Sequence, residues 1–372
     1  MTTRQKSSKV RYAVIGLGHI AQAAMLPAFS HAGNSALAAL VSGDAKKLKV
    51  LGKRYRVGGL YDYGELEKCI EQEEIDAVYV ATPNTEHLSI VQRAAKAGAH
   101  VLCEKPLGAT ERECRAMIEA CARSGVKLMT AYRLHFEPAN LKALEVAKSG
   151  EIGEPRLFTS SFSYQVRDPS NIRLQDDVAG GPLLDIGIYC INAARSLFQD
   201  DPIEVQAWEA SSGDPRFREV KETVSALLRF PGDRVAQFTC SFGLATTSWF
   251  ELLGTKGRVF LDQAYEYVEP IEVTITVNEK ARTSTFAKRD QFAAEMVYFS
   301  ECVLNGKEPE PSGWEGLADV RVIEALKQSI ERGKPMKIAP VRHAQHPSPR
   351  QTLKRPPVRR EPKLVKASAA SG

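Results

Sequence analysis

The sequence predicts an α/β fold in which a doubly wound parallel sheet is followed by an α+β domain with a large, open, mainly antiparallel sheet. Three observations predict this organisation. Up to about residue 133, short apolar runs alternate with helical patterns, as in repeated βα units. After residue 150, strand-like runs follow one another and are separated by turn signals such as PGD and GTKG. At 372 residues the chain is also long enough for two domains.

The elements are predicted as follows. In the first half, strands are expected at 10–15, 35–43, 75–83, 100–106 and 127–133, with helices at about 84–97 and 110–124. In the second half, strand-like segments cover 156–166, 203–211, 222–230, 234–243 and 248–262, and two late helices cover roughly 290–305 and 314–332. An open sheet of this size has one face to cover, so we expect a homodimer or homotetramer formed through that face.

These patterns divide the chain into four parts. Residues 1–9 are expected to be a flexible N-terminus, 10–133 a dinucleotide-binding domain, 134–338 a substrate-binding and oligomerisation domain, and 339–372 a basic tail rich in Pro and Arg. From residue 341 onward the tail carries eight Lys or Arg against one Glu. We expect it to be disordered or a loosely docked strap, and a dedicated anion- or RNA-binding arm is the alternative.

Composition narrows the class of function. The net charge of +5 comes from the tail, and the near-neutral body argues against a nucleic-acid-binding surface. No apolar run approaches 18 residues and none precedes the first predicted strand, which argues against a membrane span and a secretory signal. The seven cysteines form no CxxC pair, as expected for reduced thiols in a cytoplasmic protein. The seven histidines do not cluster at ligand spacings, so no metal site is expected.

The strongest single motif is GLGHIA at residues 16–21, between the first predicted strand and a helical pattern. This is G-x-G-x-x-A in the strand–turn–helix context of a Rossmann dinucleotide site. The first glycine permits a tight turn, the second lets the backbone approach a pyrophosphate, and the alanine allows close helix packing. Free N–H groups at the helix start then meet the phosphate charge. The motif predicts cofactor contacts from Gly16, Leu17, Gly18, His19 and Ile20.

The end of the second strand indicates NADP rather than NAD. NAD sites usually place an Asp or Glu there to hold the ribose 2′-hydroxyl. Here Ser42 and Gly43 occupy that position, and Lys46 and Lys47 follow closely. A hydroxyl and lysines suit a 2′-phosphate, which a carboxylate would repel. Asp44 lies two places late for the ribose role, and the alternative is that it caps the next helix; its presence leaves NAD open.

Further site candidates lie at the carboxyl ends of the strands, where ligands bind in doubly wound sheets. They are Thr82, Pro83, Asn84, Glu104, Lys105 and Arg133, and His87, one turn into a helix, can also face the cofactor. Lys105 ends an apolar strand and precedes a proline, where a long cation has little structural purpose. A lysine that simply reaches solvent is the alternative, and the spacing leaves both open.

The stretch GGPLLDIGIY, residues 180–189, begins a helix with Pro182 in its first turn. Asp185, Tyr189 and Asn192 form a single polar stripe on this otherwise apolar helix. A buried helix has no need of a carboxylate and a phenol on one face. We therefore expect Asp185 and Tyr189 to face a pocket between the two domains. For Asn192, one turn deeper, satisfying a neighbouring backbone group is the simpler interpretation.

Four motifs together resemble the glucose–fructose oxidoreductase, inositol dehydrogenase and MocA (Gfo/Idh/MocA) family. They are GLGHIA at 16–21, CEKPL at 103–107, YRLHFEP at 132–138 and AGGPLLDIGIYCIN at 179–192. The resemblance spans about residues 10–335. VSG followed by Lys47, DIGIY, and the loop IRLQDDVAGG at 172–181 are most similar to the glucose–fructose oxidoreductase and NADP-dependent aldose (xylose) dehydrogenase branch.

The resemblance implies a set of site residues. Lys105, Asp185 and Tyr189 would be catalytic and contact the substrate, and Arg173 would help to hold sugar or nicotinamide. Beyond the glycine-rich turn, the implied cofactor contacts are Ser42, Gly43, Lys47, Tyr63, Thr82, Pro83, Asn84, His87, Glu104, Lys105 and Arg133. Family members that retain NADP permanently have a long N-terminal arm. Only about nine residues precede the first predicted strand here, so the resemblance does not extend to that property.

The expected reaction is hydride transfer between C1 of a cyclic aldose and NADP, which gives an aldonolactone; whether a second sugar serves as acceptor is left open. A free phenol is a poor base at neutral pH. A nearby cation favours the phenolate, so Lys105 would make Tyr189 competent, whereas Asp185 would oppose this. A non-catalytic regulator that binds NADP or sugar is one alternative, and a reductase of a non-sugar carbonyl is another.

Overall fold

A computed structural model of the protein describes residues 9–178 and 180–369, so residues 1–8 of the predicted flexible N-terminus lie outside the described residues. Within these ranges the first sheet is parallel, with six strands in the order β3-β2-β1-β4-β5-β6. The strands are β1 (Val10–Ile15), β2 (Ser35–Val41), β3 (Gly59–Tyr61), β4 (Ala77–Val80), β5 (His100–Glu104) and β6 (Leu128–Ala131). This order confirms the predicted doubly wound sheet.

Helices connect these strands and cover both faces of the sheet. A π-helical turn, Ala21–Met25, runs into the short α1 (Leu26–Ala28). It is followed by α2 (Ala45–Tyr55), α3 (Leu66–Gln72), α4 (His87–Lys96) and α5 (Glu111–Arg123). Asp44 caps α2 and Thr110 caps α5, each by accepting backbone hydrogen bonds. These caps fix where the chain leaves the carboxyl edge of the sheet, which is the edge that binds ligands.

The second sheet has nine strands within the described residues, in the order β14-β13-β12-β11-β7-β10-β9-β8-β15. They are β7 (Pro155–Ser163), β8 (Glu204–Ala210), β9 (Thr223–Phe230), β10 (Arg234–Ser241), β11 (Thr247–Gly254), β12 (Gly257–Asp262), β13 (Ile271–Val277), β14 (Lys280–Phe286) and β15 (Met336–Lys337). Neighbours are antiparallel except for β7 and β10, which pair in parallel. The prediction of a large, mainly antiparallel sheet is confirmed.

The two faces of the second sheet differ in what covers them. On one face, α6 (Pro138–Ser149) and α7 (Ile188–Phe198) pack on the apolar side chains of the strands. On the other face, Trp208 of β8 is 59% exposed and Leu227 of β9 is 41% exposed. The predicted oligomer through this open face stays a prediction.

Two late helices tie the halves together. The helix α8 (Gln291–Asn305) packs on the first sheet, where Phe292 and Met296 join the apolar core. The helix α9 (Gly313–Arg332) contacts both α5 and β8, and so contributes to the cores of both sheets. Both helices lie within the residues predicted for them, although α8, which follows residue 134 in the chain, serves the first sheet. The predicted domain limits themselves stay a prediction.

The basic tail is docked along the body as far as residue 369. The backbone N–H of Val341 donates to the Asp201 carboxylate, 2.8 Å away, and that of Leu353 donates to the carbonyl of Phe136. The structure therefore describes a strap rather than a disordered arm. All seven cysteines are buried and unpaired. Among the described residues, no helix is both long enough and apolar enough to cross a membrane.

Candidate active site

Lys105 and Asp185 meet between the two sheets. Lys105 follows directly after β5, and Asp185 lies in a π-helical turn, Leu183–Gly187, that leads into α7. The Lys105 Nζ donates to the backbone carbonyl of Asp185 at 2.7 Å and to its Oδ1 at 3.2 Å. The Lys105 side chain is 10% exposed and that of Asp185 is 23% exposed. Of the two alternatives left open for Lys105, the lysine that simply reaches solvent is not what the structure shows, because its cation joins the two halves of the chain through Asp185.

Two more side chains hold the Asp185 carboxylate. Arg173 Nε donates to Oδ2 at 2.7 Å, and the Tyr164 hydroxyl donates to the same oxygen at 2.9 Å. Burial raises the pKa of Asp185, but the Arg173 and Lys105 cations and these hydrogen bonds lower it by a larger amount. The net effect is a pKa well below the usual range of an aspartate. We call Lys105, Tyr164, Arg173 and Asp185 the cleft cluster; it keeps an ionised carboxylate in a partly open cleft.

The paired glycines of the GGPLLDIGIY stretch bring Arg173 to Asp185. The N–H of Gly180 donates to the carbonyl of Gln175, and that of Gly181 donates to the carbonyl of Arg173. A Cβ at Gly180 would lie 2.4 Å from the Gln175 carbonyl oxygen, so a side chain cannot fit there. Gly181 has a φ of +99°, which disfavours any residue with a Cβ. The glycines therefore allow the loop that carries Arg173 to fold back onto the start of the helix that carries Asp185.

Tyr189, one turn after Asp185, faces the same cleft between two cations. Lys105 Nζ lies 4.8 Å from the centre of the Tyr189 ring, and the Arg133 guanidinium lies 5.1 Å from it. Arg133 Nη2 also donates to the Tyr189 hydroxyl at a long 3.4 Å. Burial lowers the pKa of Lys105, but the neighbouring Tyr189 and Asp185 raise it more, so the lysine stays charged at neutral pH. The Tyr189 ring therefore lies close to two cations, with its hydroxyl within reach of Arg133.

The glycine-rich turn reaches this cleft from the first sheet. Burial and the nearby Arg173 lower the pKa of His19, whereas the Asp185 carboxylate raises it. Gly16 has a φ of +87°, and a Cβ there would lie 2.6 Å from the carbonyl oxygen of Ala81. Around Gly18, in contrast, a Cβ would meet nothing within 4 Å. The first glycine is required by packing, and the second leaves open space at the helix start, where a pyrophosphate fits.

Other atoms at the carboxyl edge also fit a dinucleotide. The Thr82 Oγ1 is buried and has no hydrogen-bond partner among the described residues, as expected of a group that awaits a ligand. Pro83 and Asn84 follow it into a short 3₁₀ turn before α4. Leu17 and Ile20 pack their side chains inward, so what these residues offer a cofactor is backbone. The edge of the sheet thus retains the features that the glycine motif predicts.

The end of β2 combines the two interpretations given for it above. Asp44 accepts hydrogen bonds from the backbone of Lys46 and Lys47 and is the cap of α2, as the alternative had it. Ser42 is buried, and the Tyr63 ring packs beside Gly43, where a Cβ would lie 3.5 Å from the ring. The contact of Ser42 and Lys47 with a 2′-phosphate stays a prediction, and the Asp44 carboxylate beside them already serves as the cap of α2.

Three of the predicted cofactor residues have buried structural partners. His87 is fully buried, with ring nitrogens 3.1–3.2 Å from the carbonyl oxygens of Thr82, Pro106 and Leu107. Glu104 accepts hydrogen bonds from the Tyr79 hydroxyl and the Lys105 backbone. Arg133 donates to Gln291 and to the carbonyl of Tyr265 as well as to Tyr189. These side chains position the strand ends and Tyr189, and their contact with a cofactor stays a prediction.

Asn192 does not belong to the cleft, and it does not satisfy a backbone group as predicted. Its amide donates to Asp319 at 2.9 Å, and its oxygen lies 2.8 Å from the His135 Nε2. It joins a fully enclosed set of charges around Arg195, which we call the buried cluster; its members are Asn192, Arg195, Asp201, Glu315 and Asp319. The polar stripe of the helix is therefore divided between two clusters.

Sequence reasoning missed Tyr164 and Gln22. Tyr164 follows β7, whose alternation predicts a strand and says nothing of a partner for Asp185. Gln22 is fully buried one residue after the glycine motif, and its amide donates to the carbonyl of Leu17. A glutamine directly after the glycine motif, among the small and apolar residues of AQAAM, is a signal that the sequence did offer.

The chain matches two family profiles. Residues 10–132 match an oxidoreductase family with an NAD-binding Rossmann fold, and residues 140–260 match the GFO/IDH/MocA C-terminal domain. The NADP⁺-dependent D-xylose 1-dehydrogenase of Haloarcula marismortui is 33% identical over 87% of this chain and 91% of its own length.

Solved structures agree with these matches. The aldose–aldose oxidoreductase of Caulobacter crescentus, solved with glycerol, has a TM-score of 0.85 and 37% identity over 89% of this chain and 100% of that one. The 3-ketoreductase KijD10 of Actinomadura kijaniata, solved with NADP and TDP-benzene, has a TM-score of 0.80 and 29% identity over 87% of this chain and 98% of that one. The matches cover both sheets and the cleft between them, and the chain belongs to the Gfo/Idh/MocA family of oxidoreductases.

Proposed function

We propose that the protein is an NADP-dependent aldose dehydrogenase that oxidises C1 of a cyclic aldose to an aldonolactone. The observation that carries the proposal is the position of Tyr189, whose ring lies between Lys105 and Arg133 beside the ionised Asp185. Relatives named as D-xylose dehydrogenases and as an aldose–aldose oxidoreductase support the choice of an aldose. The relatives are named as enzymes, so a non-catalytic regulator is not supported.

The cleft cluster binds and orients the sugar. Asp185 is charged and partly exposed, so its carboxylate can accept a hydrogen bond from a sugar hydroxyl while Arg173 and Lys105 hold it in place. Arg173 is 23% exposed and can donate to a second sugar oxygen. Because both groups are fixed by other contacts, they lose little side-chain entropy when the sugar binds.

Tyr189 takes the proton of the C1 hydroxyl. NADP⁺, when bound, accepts the hydride that leaves C1, so the C1–H and O–H bonds break and the lactone C=O bond forms. Tyr189 is suited to this role by its position, with the Lys105 Nζ 4.8 Å from the centre of its ring and the Arg133 Nη2 3.4 Å from its hydroxyl. In the opposite direction the same groups would donate a proton to a carbonyl oxygen.

The test begins with the cofactor. Purified protein is denatured and any released nucleotide is identified by mass spectrometry, and aldoses are then screened with NADP⁺ and NAD⁺ for reduced nicotinamide. We expect NADP⁺ to be preferred and at least one pentose or hexose to give a lactone. Nucleotide binding without oxidation of any aldose would contradict the proposal and favour the reductase described next.

Reduction of a carbonyl substrate is the second candidate. Several relatives are named as dTDP-sugar 3-reductases, and KijD10 is a 3-ketoreductase of 29% identity. The same cleft can serve this direction, because the Tyr189 phenol, beside Lys105, can donate its proton to the oxygen of a carbonyl substrate. Oxidation of NADPH by keto-sugars but no reduction of NADP⁺ by aldoses would establish this candidate. A relative named as a trans-1,2-dihydrobenzene-1,2-diol dehydrogenase keeps non-sugar substrates in the screen.

For the assembly, we propose a homo-oligomer through the open face of the second sheet. Gln206 of β8 pairs with Leu227 of β9, so the exposed Trp208 and Leu227 lie on the same face of the sheet. An exposed tryptophan and leucine on a sheet face favour an interface. Light scattering of the wild type and of Trp208→Arg tests this: we expect a dimer or larger for the first and a smaller species for the second.

A further inference from the structure

The basic tail ends across the edge of the sheet at which the dinucleotide is expected. Before reaching it, the tail is anchored to the body by hydrogen bonds at Val341, Gln351, Leu353 and Arg355. Their partners are Asp201, Glu310, Phe136 and Asp290, which lie in the segments just before β8, α9, α6 and α8. The tail is therefore held to the body between Val341 and Arg355, before its last five described residues, 365–369, reach the cleft.

The first contact at the edge is with the phosphate-binding turn. The N–H of Val365 donates to the Gln22 Oε1 at 2.8 Å, and the Gln22 Nε2 donates back to the Val365 carbonyl at 3.0 Å. The same Nε2 donates to the carbonyl of Leu17, inside the glycine-rich motif, at 2.8 Å. One buried glutamine thus joins the tail to the turn that would carry the pyrophosphate.

The second contact is at the end of β2. Lys366 Nζ donates to the Asp44 Oδ2 at 2.9 Å, while the Asp44 Oδ1 caps α2. A carboxylate in this position would repel a 2′-phosphate placed near Ser42 and Lys47. The Lys366 cation offsets that charge and adds a positive group to the same place.

The third contact is on the second domain. The Asn171 Nδ2 donates to the carbonyl of Ala369 at 3.5 Å, and the Asn171 Oδ1 accepts from the N–H of Arg173. Within five residues the tail therefore touches the glycine-rich turn, the end of β2 and the loop that carries Arg173. These three places surround the carboxyl edge of the first sheet.

We propose that residues 365–369 are a clasp that completes the NADP site, with Lys366 as a determinant of NADP preference. This inference rests on the proposed NADP site. The clasp closes the outer side of the cofactor cleft, so the dinucleotide leaves only after the clasp has detached. Lys366 favours NADP over NAD because it neutralises Asp44 beside the 2′-phosphate.

Tryptic cleavage tests the clasp without any measurement of activity. The tail offers cleavage sites after Arg360, Lys363 and Lys366. A clasp predicts that NADP slows cleavage after Lys363 and Lys366 by about tenfold, since ligand binding stabilises the docked state by mass action. If the segment instead fills the cofactor site as a plug, NADP will displace it and cleavage will accelerate. Acceleration or an unchanged rate each overturns the proposal.

Binding measurements test Lys366. We expect Lys366→Ala to raise the Kd for NADPH by about two- to fivefold, the range for a partly exposed charge pair, and to leave the Kd for NADH unchanged or lower. Lys363→Ala is the matched control, because Lys363 makes no ion pair among the described residues. In the Lys366→Ala background, Asp44→Asn should restore most of the NADPH affinity, since Asn also caps a helix well. Equal losses for NADPH and NADH would overturn the specificity role.

A truncation after Lys363 tests the barrier to release. We expect NADPH to dissociate at least about tenfold faster than from the full chain, measured by loss of its fluorescence under excess competitor. An unchanged dissociation rate in a folded truncation would refute the clasp and leave the proposed NADP site intact. If the full chain binds neither NADPH nor NADH, the proposed function fails as well, so the two failures are distinguishable.

Discussion

Two polar clusters lie on the same helical stretch, residues 183–198, and differ in what remains open. In the buried cluster, Arg195 is fully buried and donates to Asp201, Glu315 and Asp319 at 2.7–3.1 Å. In the cleft cluster, the Asp185 side chain is 23% exposed despite its charged partners. Both clusters are rich in ion pairs, so pairing does not distinguish a site from a support. What distinguishes the cleft cluster is that it is partly exposed. It also borders the Tyr189 hydroxyl, which makes only a long 3.4 Å hydrogen bond with Arg133.

The largest effect should follow from breaking the buried cluster. Arg195→Met leaves Glu315 and Asp319 without their cation, and removal of one partner of a buried pair costs about 3–5 kcal/mol. We expect a loss of that size in the free energy of unfolding, measured by urea titration. Arg229→Met is the control, because Arg229 forms an exposed pair with Glu204 that is worth at most about 1 kcal/mol. Equal stability of the two variants would show that the buried cluster is not structural.

The pH dependence sharpens this prediction. Burial raises the pKa of Glu315 to about 7, although Arg195 lowers it. A carboxyl whose pKa is higher in the folded state binds more protons when folded, so its contribution to stability falls as the pH rises from about 4.5 to 7. Loss of Arg195 removes the cation that lowers the pKa of Glu315. The free energy of unfolding of Arg195→Met should therefore fall more steeply with rising pH than that of the wild type. Parallel stability curves would contradict this.

Tyr189, which borders the cleft cluster, should respond in activity and not in stability. Tyr189→Phe removes the phenol oxygen that takes the proton, and we expect kcat to fall by about a hundredfold or more. NADPH affinity and the free energy of unfolding should stay close to those of the wild type, since the hydroxyl makes only a 3.4 Å contact. Tyr55→Phe, on α2, is the matched control. A Tyr189→Phe variant with near wild-type kcat would remove Tyr189 from the base role.

The same contrast explains how far the sequence leads. The i, i+4 spacing placed Asp185 and Tyr189 on one face of the helix, and the glycine motif located the nucleotide edge. The sequence could not predict the partners of the polar stripe. Which distant segment packs against Asn192 and which against Asp185 is decided by the fold and not by the helical spacing. The strand β14 was missed because it is an exposed edge strand without an apolar face, whereas β13 was missed although Ile271, Val273 and Ile275 alternate as in a half-buried strand. The docking of the tail was open as well, because its contacts at Val365 and Leu353 use backbone atoms.

Lys105 tests whether the cleft cation acts on the phenol. The pKa of Lys105 is raised by Tyr189 and Asp185 against the effect of burial, so the cation persists through the neutral range. We expect Lys105→Met to lower kcat by about ten- to a hundredfold and to move the acid limb of the pH–rate profile to higher pH, because the phenolate loses a neighbouring cation. Lys68→Met, at an exposed pair with Glu65, is the control. An unchanged pH profile would show that Lys105 does not act on the Tyr189 phenol and serves only to bind the substrate.

The smallest effect should come from Tyr164, a positioning residue that the structure adds to the site. Tyr164→Phe removes one hydrogen bond to Asp185, worth about 1 kcal/mol, and leaves Arg173 and Lys105 on the carboxylate. Those cations still hold the pKa of Asp185 well below its usual range, so the pH–rate profile should not move. We expect KM for the sugar to rise by about three- to tenfold, with kcat within about twofold of the wild type. A fall in kcat as deep as that of Tyr189→Phe would instead place Tyr164 at the reacting atoms, and the division between holding and reacting groups in the cleft would have to be redrawn.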